Sequence, residues 1–298
     1  MSAVVGTELG AVARLAWRAV RRALARPETL VGALIVLLVV AAAVFAPLLA
    51  PYDPVDQDIL ARLEGPSAAH WLGTDEFGRD TLSRLLYGAQ PSLVIGVLSV
   101  LAAGVVGTAV GLLAGYVGGA VDVVLMQAMD VLLAFPALIL GLMLVAMLGP
   151  SMTNLITAIA VTAVPPFARV ARAPVIAMRE REFVQAAAAL GFSPARIVGR
   201  HVLPGILPDI TVMASLWVAT SIRTEASLAF VGLGLKPPTP SWGGMIRDGF
   251  ENILDAPALA LFPSLAILVV VLGLNLLGDG LRDAIDPGLR APRLGTEV

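Results

Sequence analysis

The sequence of 298 residues contains no cysteine and only two histidines, His70 and His201. Disulfides, thiolate metal sites and cysteine nucleophiles are therefore excluded, and ligands for a histidine metal centre are scarce. Charged residues make up 14% of the chain and hydrophobic residues 58%, a balance typical of membrane proteins. The phosphate-binding pattern GxxxxGK[ST] is also missing, so ATP chemistry would have to come from another protein. We predict no catalytic residue, no metal site and no nucleic-acid partner.

Long apolar runs predict an all-α polytopic membrane protein with six transmembrane helices, because about 20 apolar residues span a bilayer. The runs lie near residues 29–50, 92–116, 131–148, 154–167, 210–232 and 259–277. The first run is too long for a cleaved signal peptide, so we interpret it as an uncleaved helix. We predict that Pro136 kinks the third helix and that Pro165 and Pro166 end the fourth, since an interior proline removes a hydrogen-bond donor.

These helices divide the chain into alternating cytoplasmic and extracytoplasmic parts. The predicted parts are an N-terminal cytoplasmic segment (1–28), a first transmembrane helix (29–50), an extracytoplasmic segment (51–90), a five-helix core (91–287) with a cytoplasmic loop (173–208), and a cytoplasmic tail (288–298). Arginines are concentrated in the segments placed on one side, and the positive-inside rule makes that side the cytoplasm. Both termini are therefore predicted to be cytoplasmic.

The cytoplasmic loop is predicted to contain two short helices. The first runs from Glu182 to Leu190 and is stopped by Gly191, since glycine favours the left-handed conformation that ends helices. The second begins after Ser193-Pro194, with the serine as N-cap and the proline at the first helical position. Pro204 and Pro208 are expected to end it. A row of alanines in the first helix would let another surface approach closely.

The loop carries a recognisable spacing. Gln185-Ala186-Ala187, three residues, Gly191, nine residues and then His201-Val202-Leu203-Pro204 resembles the EAA loop of binding-protein-dependent ABC importer permeases. That family's general pattern has glutamate at the position of Gln185 and isoleucine at that of His201, although histidine is typical of its peptide and nickel branch. Further blocks resemble the dipeptide and oligopeptide permeases and follow in the same order: His70–Ala89, Met129–Pro136, Leu235–Asp248 and Asn275–Asp283.

The resemblance implies a type I ABC importer permease in the bacterial plasma (inner) membrane, with one N-terminal helix and a five-helix core. Such a subunit forms half of a pore that carries dipeptides or oligopeptides by alternating access. Its implied partners are a homologous permease, two cytoplasmic ATPases that bind ATP and Mg, an extracytoplasmic substrate-binding protein and membrane lipid. No cofactor is expected in the chain itself. Glutathione or a nickel chelate is an alternative cargo, and a secondary transporter a more distant alternative, because we find no internal repeat.

The resemblance also implies that the cytoplasmic loop couples the permease to the ATPases. The residues expected to serve this coupling are Arg181, Glu182, Gln185, Ala186, Ala187, Gly191, His201, Leu203 and Pro204. Closure of the ATPases would push on this loop and reorient the spans as rigid bodies. The alternative interpretation is an ordinary amphipathic helix at the membrane interface.

Arg223 and Glu225 lie in the fifth apolar run, where a charge is costly and marks a functional site by default. Because they are two residues apart on a helix, they should point to different faces and not pair with each other. Two interpretations stay open. Either one or both line the cargo path and meet a charged end of the cargo, or they lie near the outer mouth, wetted or paired with a partner subunit.

Two further patterns bear on packing. Glycines recur every fourth residue through the second span, at Gly107, Gly111, Gly115 and Gly119, which predicts close helix–helix packing within the subunit or across a dimer. In the extracytoplasmic segment, His70 and nearby carboxylates invite a metal or acid–base interpretation. We favour helix caps at Thr74 and Asp80, with the remaining carboxylates paired to Arg79 and Arg84.

Overall fold

The computed structural model describes residues 26–285. The predicted tail, and the N-terminal segment apart from its last three residues, lie outside the described residues. Within them the ordered elements are helices, and a single β-bridge joins Thr74 to Asp80. The elements are α1 (Pro27–Val44), α2 (Ala46–Leu49), a 3₁₀ turn (Ile59–Ala61), α3 (Thr81–Val117), α4 (Gly119–Leu133), α5 (Ala137–Leu148), α6 (Met152–Arg179), α7 (Glu182–Ala189), α8 (Pro194–Ile197), a π turn (Val198–Val202), α9 (Leu203–Leu228), a second π turn (Ala229–Leu233), α10 (Trp242–Glu251) and α11 (Ala258–Ile285).

Six membrane spans are supported by the lengths and apolar character of these helices. Helices α1, α3, α6 and α11 and the continuous helical stretch Pro194–Leu233 are each long enough to cross a bilayer. Helices α4 and α5 supply the sixth span as a pair bent by 88°. The break precedes Pro136, which lacks an N–H and disfavours helical geometry in the residue before it. The kink predicted at Pro136 is confirmed, but the third span is two helices and not one run over residues 131–148.

Other prolines do not act as predicted. Pro165 and Pro166 lie inside α6, which continues to Arg179 instead of ending near residue 167. Pro204 is the second residue of α9, directly after the π turn, and Pro208 lies inside the same helix, so neither proline ends the helical stretch Pro194–Leu233. Neighbouring helices hold a proline-containing transmembrane helix in shape and satisfy the backbone groups that it frees. The fourth and fifth spans are therefore longer than the apolar runs that predicted them.

Helices α3 and α6 form the most extensive helix pair among the described residues, and three of the predicted glycines lie in it. A Cβ at Gly107 would lie 2.7 Å from the Val164 carbonyl oxygen. One at Gly111 would lie 2.4 Å from that of Ala168, and one at Gly115 2.9 Å from that of Arg172. Only glycine lets the two backbones approach this closely, so the packing lies within this chain.

Gly119 does not belong to this packing face. It is the first residue of α4, has a φ of +57°, and has no atom within 4 Å of the position where a Cβ would lie. Together with Gly118, whose φ is +71°, it forms the turn from α3 to α4. The four-residue spacing of the glycines therefore extends one glycine beyond the end of α3.

Buried charges tie the predicted extracytoplasmic segment to α3, and one hydrogen bond ties it to the residue that follows α10. Asp75 pairs with Arg79 at 2.6 Å and with Arg84 at 3.2 Å, and Asn252 donates to Glu76 at 2.8 Å. The predicted pairing of carboxylates with Arg79 and Arg84 is confirmed, but the pairs are buried and not solvated. No group of residues in the described range 26–285 is arranged to hold a metal ion.

The two predicted caps of this segment differ. The Asp80 carboxylate accepts from the Ser83 backbone N–H at 2.8 Å and caps α3, and it also contacts His70 Nδ1 at 2.9 Å. Thr74 caps no helix. Its hydroxyl instead accepts from the Glu64 N–H at 3.0 Å and donates to the Ala61 carbonyl. Asp80 therefore fixes the start of α3, while Thr74 closes the loop before it.

Two carboxylates of this segment and α10 have raised pKa values. Burial, and then the neighbouring charges of Asp248 and Asp75, raise the pKa of Glu76, while Arg79 opposes them. Burial also raises the pKa of Asp248, against the opposing charges of Arg84 and Arg79. The folded protein holds these protons more tightly than the unfolded chain. Both groups therefore favour folding below their unfolded pKa and lose that contribution as the pH rises through the raised pKa.

We expect Gly111→Ala to lower the thermal midpoint of the detergent-solubilised protein, because the added methyl group would overlap a backbone oxygen. Overpacking of this kind costs about 1–3 kcal/mol. Gly104→Ala on the same helix is the matched control, since its Cβ would lie 3.6 Å from the Phe167 ring, an ordinary contact. Equal midpoints for the two variants would contradict the packing described here.

We expect Glu76→Gln to raise the thermal midpoint at about pH 8 but not at about pH 4, where the wild-type carboxyl is largely protonated. The amide keeps an oxygen that can accept from Asn252. Glu64→Gln, at an exposed position of the same segment, serves as the control and should change little at either pH. A midpoint that rises equally at both pH values would show that charge at Glu76 is not the cause.

Candidate functional site

The coupling segment (residues 173–208) packs against the ends of the spans that adjoin it. In α7, Val184 and Ala187 are buried and belong to a hydrophobic cluster with Val175 of α6, Ile197 of α8 and Val202 of the π turn. The spacing of three residues puts Val184 and Ala187 on one face of the helix. The first helix of the segment is therefore fixed to this chain by one face, and its other face remains open.

Gly191 ends α7 in the way that its sequence position predicts. Its φ is +78°, its N–H donates to the Ala188 carbonyl at 2.9 Å, and the N–H of Phe192 donates to the Ala187 carbonyl at 3.1 Å. These two bonds form a Schellman motif, which favours glycine at the left-handed position. Ser193 lies at the predicted N-cap position of α8, although its side chain makes no capping hydrogen bond.

The second half of the segment runs without a break into the fifth span. The Leu203 N–H bonds to the Val198 carbonyl, five residues back, which is the hydrogen bond of a π turn, a feature frequent at functional sites. Leu203 packs on the same hydrophobic cluster and is the first residue of α9, and Pro204 is the second. The His201 ring meets the Phe183 ring edge-on, with centroids 6.1 Å apart. His201 thus joins the two halves of the segment.

The open face of α7 combines small and apolar side chains. Ala186 and Ala189 are exposed, and they are flanked by Phe183 at 46% exposure and Leu190 at 76%. Arg181 and Glu182 are exposed at the start of the helix. The Gln185 side chain is also exposed, and its amide donates to the Glu180 carbonyl at 3.2 Å. Among the predicted coupling residues, Ala187 alone is buried in α7, so a partner would meet Ala186 and its neighbours.

Ion pairs tie α6, which carries the coupling segment, to α4. Arg172 binds Asp122 through two nitrogen–oxygen contacts of 2.5 Å, and Arg169 contacts Asp130 at 2.5 Å. A groove of about 440 Å³ lies beside these pairs. The two contacts between Arg172 and Asp122 make that pair directional, whereas the Arg169–Asp130 pair is more than half exposed and contributes little. Movement of the coupling segment would therefore be transmitted to the bent third span as well as to α6.

Glu225 is fully buried between three helices. Ser92 of α3 donates to one carboxylate oxygen at 3.2 Å, and the Trp242 N–H of α10 donates to the Ser92 hydroxyl oxygen at 3.3 Å. The second carboxylate oxygen, Oε1, is buried and has no hydrogen-bond partner among the described residues. In this conformation Glu225 joins α9 to α3 and α10 and reaches no open surface.

Arg223 lies on the opposite side of α9 and is exposed. Its guanidinium contacts the Thr220 hydroxyl at 3.2 Å. The expectation that Arg223 and Glu225 point to different faces agrees with these positions. Of the two, only Arg223 is placed where it could meet a cargo in this conformation.

Several contacts were not anticipated from the sequence. The pairing of Asp122 and Asp130 with Arg172 and Arg169 depends on the register of two helices that are distant in sequence. The complementary charges, two aspartates on one helix and two arginines on the other, were the available signal. The role of Ser92 had no such signal, because a serine in an apolar run shows nothing of its partner.

Comparison with known proteins agrees with this architecture. The family model described as binding-protein-dependent transport system inner membrane component matches residues 107–291, and that of the N-terminal transmembrane domain of oligopeptide transport permease C matches residues 14–66. The inward-facing MetNI methionine ABC transporter contains a chain that superimposes with a TM-score of 0.55 at 19% identity, covering 68% of this chain and 97% of that one. This likeness concerns the fold.

Closer relatives are found among curated proteins. The dipeptide transport system permease protein DppC of Alkalihalophilus pseudofirmus is 44% identical over 276 residues, which cover 92% of this chain and 91% of that protein. The glutathione transport system permease protein GsiD of Pectobacterium atrosepticum is 44% identical over 280 residues, or 93% of each. Permeases of this family are membrane subunits without enzyme activity, and they work with ATPase and substrate-binding subunits. The chain therefore belongs to the binding-protein-dependent inner membrane components and is a permease subunit of an ABC importer.

Proposed function

We propose that this subunit forms half of the translocation pore of an importer for dipeptides or oligopeptides, with both termini in the cytoplasm. The observation that carries the proposal is the coupling segment, whose α7 is fixed by one face to this chain and offers Ala186, Ala189 and Leu190 on the other. An exposed apolar face on a short, fixed helix fits a groove in a partner protein. The alternating movement of the spans would begin there.

The proposed class of cargo is inferred from the relatives of this chain. The relatives at 44% identity include one named for dipeptide transport and one named for glutathione transport. Glutathione is therefore a second candidate cargo for this chain. A nickel chelate is a third candidate on chemical grounds alone, because a chelated metal needs no ligand from the permease.

The proposed assembly contains a second, homologous permease, two cytoplasmic ATPases that bind ATP and Mg, and an extracytoplasmic substrate-binding protein. Helices α6 and α9 lead directly from the coupling segment into the membrane. The ion pairs from Arg169 and Arg172 to α4 join a third span to the same unit. A push on α7 would therefore tilt several spans together, which is the rigid-body movement that alternating access requires.

We expect Ala186→Arg to weaken binding of the ATPases by about tenfold or more, because a bulky charged side chain in a close-packed interface costs about 1.4 kcal/mol or more. Ala186→Ser is the size-matched control and should keep both binding and transport. Co-purification of the ATPases and cargo uptake per ATP hydrolysed are the measurements. Gly191→Pro should also weaken ATPase binding. Proline cannot adopt a positive φ, and it has no N–H to donate to the Ala188 carbonyl. Coupled transport by Ala186→Arg would refute this role for α7.

We expect the tagged chain, purified from its native membrane, to bring with it a homologous permease and ATPases that carry the GxxxxGK[ST] pattern. Mass spectrometry would identify each partner, and the ligand bound to an accompanying binding protein would name the cargo. Recovery of the chain alone, or as a homodimer without ATPase, would overturn the proposal and favour the secondary transporter.

A further inference from the structure

Arg223 is an exposed cation on a membrane-spanning helix. The continuous helical stretch that contains it, Pro194–Leu233, is one of the candidate spans. The guanidinium contacts the Thr220 hydroxyl at 3.2 Å, and no carboxylate within residues 26–285 forms an ion pair with it. An arginine in a span faces a water-filled cavity or a protein partner, since contact with lipid hydrocarbon is costly.

The packing of its neighbour Ile222 places Arg223 within the membrane-spanning part of α9. The Ile222 side chain lies directly over Gly96 of α3, where a Cβ would come within 2.6 Å of it, and it shares a hydrophobic cluster with Val270 of α11. Gly96 lies four residues inside the apolar run 92–116 and Val270 eleven residues inside the run 259–277, or roughly 6 and 17 Å at 1.5 Å per residue. The hydrocarbon core is about 30 Å thick, so both positions place Arg223 within the apolar part of its span.

Hydroxyl groups accompany Arg223 along the same helix. The Thr224 hydroxyl donates to the Thr220 carbonyl at 2.9 Å, and the Ser227 hydroxyl donates to the Arg223 carbonyl at 2.9 Å. The hydrogens of these two hydroxyl groups are used in this way, so the lone pairs of their oxygens are left to accept hydrogen bonds from N–H groups. We call Thr220, Arg223, Thr224 and Ser227 the polar row of α9.

The polar row contrasts with the outward side of another span. Exposed side chains of α11 form a stripe made of leucines: Leu261, Leu265, Leu268 and Leu272. Such a stripe is suited to lipid or to a dry helix interface. The polar row has the opposite character, a guanidinium that binds carboxylates beside oxygens that accept hydrogen bonds. That combination matches a zwitterion that offers a carboxylate and N–H donors.

We infer that the polar row lines the cargo path and that Arg223 binds a carboxylate of the cargo as it crosses the membrane. This inference rests on the proposed function, from which it takes a peptide as the cargo. Arg223 thereby gives the permease a preference of its own for anionic ends, in addition to the selection made by the binding protein.

The absence of cysteine from the whole sequence provides a direct test. Arg223→Cys would be made in the full assembly in proteoliposomes and treated with aminoethyl methanethiosulfonate, which restores a positive charge, or with sulfonatoethyl methanethiosulfonate, which adds a negative one. Intact-mass measurement counts the adducts on this chain. Uptake of dialanine and ATP hydrolysis are measured in the same samples. The assembly that contains the unsubstituted chain is treated with the same reagents, and its response corrects for reaction at cysteines of the partner subunits.

We expect both reagents to label Arg223→Cys in the assembly and to leave Leu268→Cys, the matched control in the leucine stripe, unlabelled. Uptake per ATP hydrolysed should fall by about tenfold or more in Arg223→Cys, as expected for loss of a charge-assisted hydrogen bond. The aminoethyl adduct should recover most of this loss and the sulfonatoethyl adduct none. Arg223→Lys should transport better than Arg223→Gln.

Three results would overturn the inference. The first is labelling of the isolated chain but not of the assembly, which would place Arg223 in the interface with the partner permease. The second is loss of assembly in Arg223→Gln with recovery in Arg223→Lys, which would indicate an ion pair between subunits. The third is equal uptake with the two adducts. If the unsubstituted assembly takes up no dialanine, the proposed peptide cargo fails, while labelling still decides whether Arg223 lies on an aqueous path.

Discussion

The contact between the backbones of α3 and α6 is the constraint on which the rest of the molecule depends. Gly107, Gly111 and Gly115 leave no side chain between the two helices, so α3 rests on the carbonyl groups of α6. Lipid provides no hydrophobic driving force for helix association, and close packing of this kind takes its place. Near its first residues α3 carries Arg84, which pairs with Asp75 and contacts Asp248 of α10 at 3.9 Å, and the far end of α6 leads into the coupling segment. The two ends of the subunit are therefore joined through one tightly packed pair.

Because α6 and α9 are continuous helices, this packing can transmit movement from one end of the subunit to the other. The prolines inside α6 and at the start of α9 could have produced flexible joints, but both helices run uninterrupted between the coupling segment and the membrane. The π turn before α9 adds one residue without ending the helix. Because Val184 and Ala187 seat α7 on the same hydrophobic cluster, displacement of α7 moves the inner ends of both spans. The sharp bend between α4 and α5 interrupts the third span, and ion pairs to α6 support its first half, α4.

The sequence predicted the number of spans, the glycine packing, the turn at Gly191 and the pairing of Asp75, because each follows from a local pattern or a short spacing. It failed where a neighbour in space decides the outcome. Pro165 and Pro166 are tolerated because α3 packs along the helix that contains them, and no local rule contains that information. Gly119 was assigned to the packing face because spacing alone does not show where a helix ends. The burial of Ala187 and the exposure of Ala186 likewise depend on which face of α7 meets its own chain.

The two charged residues in the membrane-spanning part of α9, Glu225 and Arg223, differ in burial, and this difference gives them different roles. Glu225 is surrounded by α3, α9 and α10, and a hydrogen bond from Ser92 links it to the backbone of Trp242. A buried polar group held by partners on separate helices specifies one arrangement of those helices. Arg223, half a turn away, is left on the open side of the same helix. Because Glu225 fixes the rotation of α9, it also fixes the direction in which Arg223 points. An exposed guanidinium at this depth is compatible with water or a polar partner but not with lipid, so the orientation set by Glu225 requires a polar environment beside α9 in the assembled transporter.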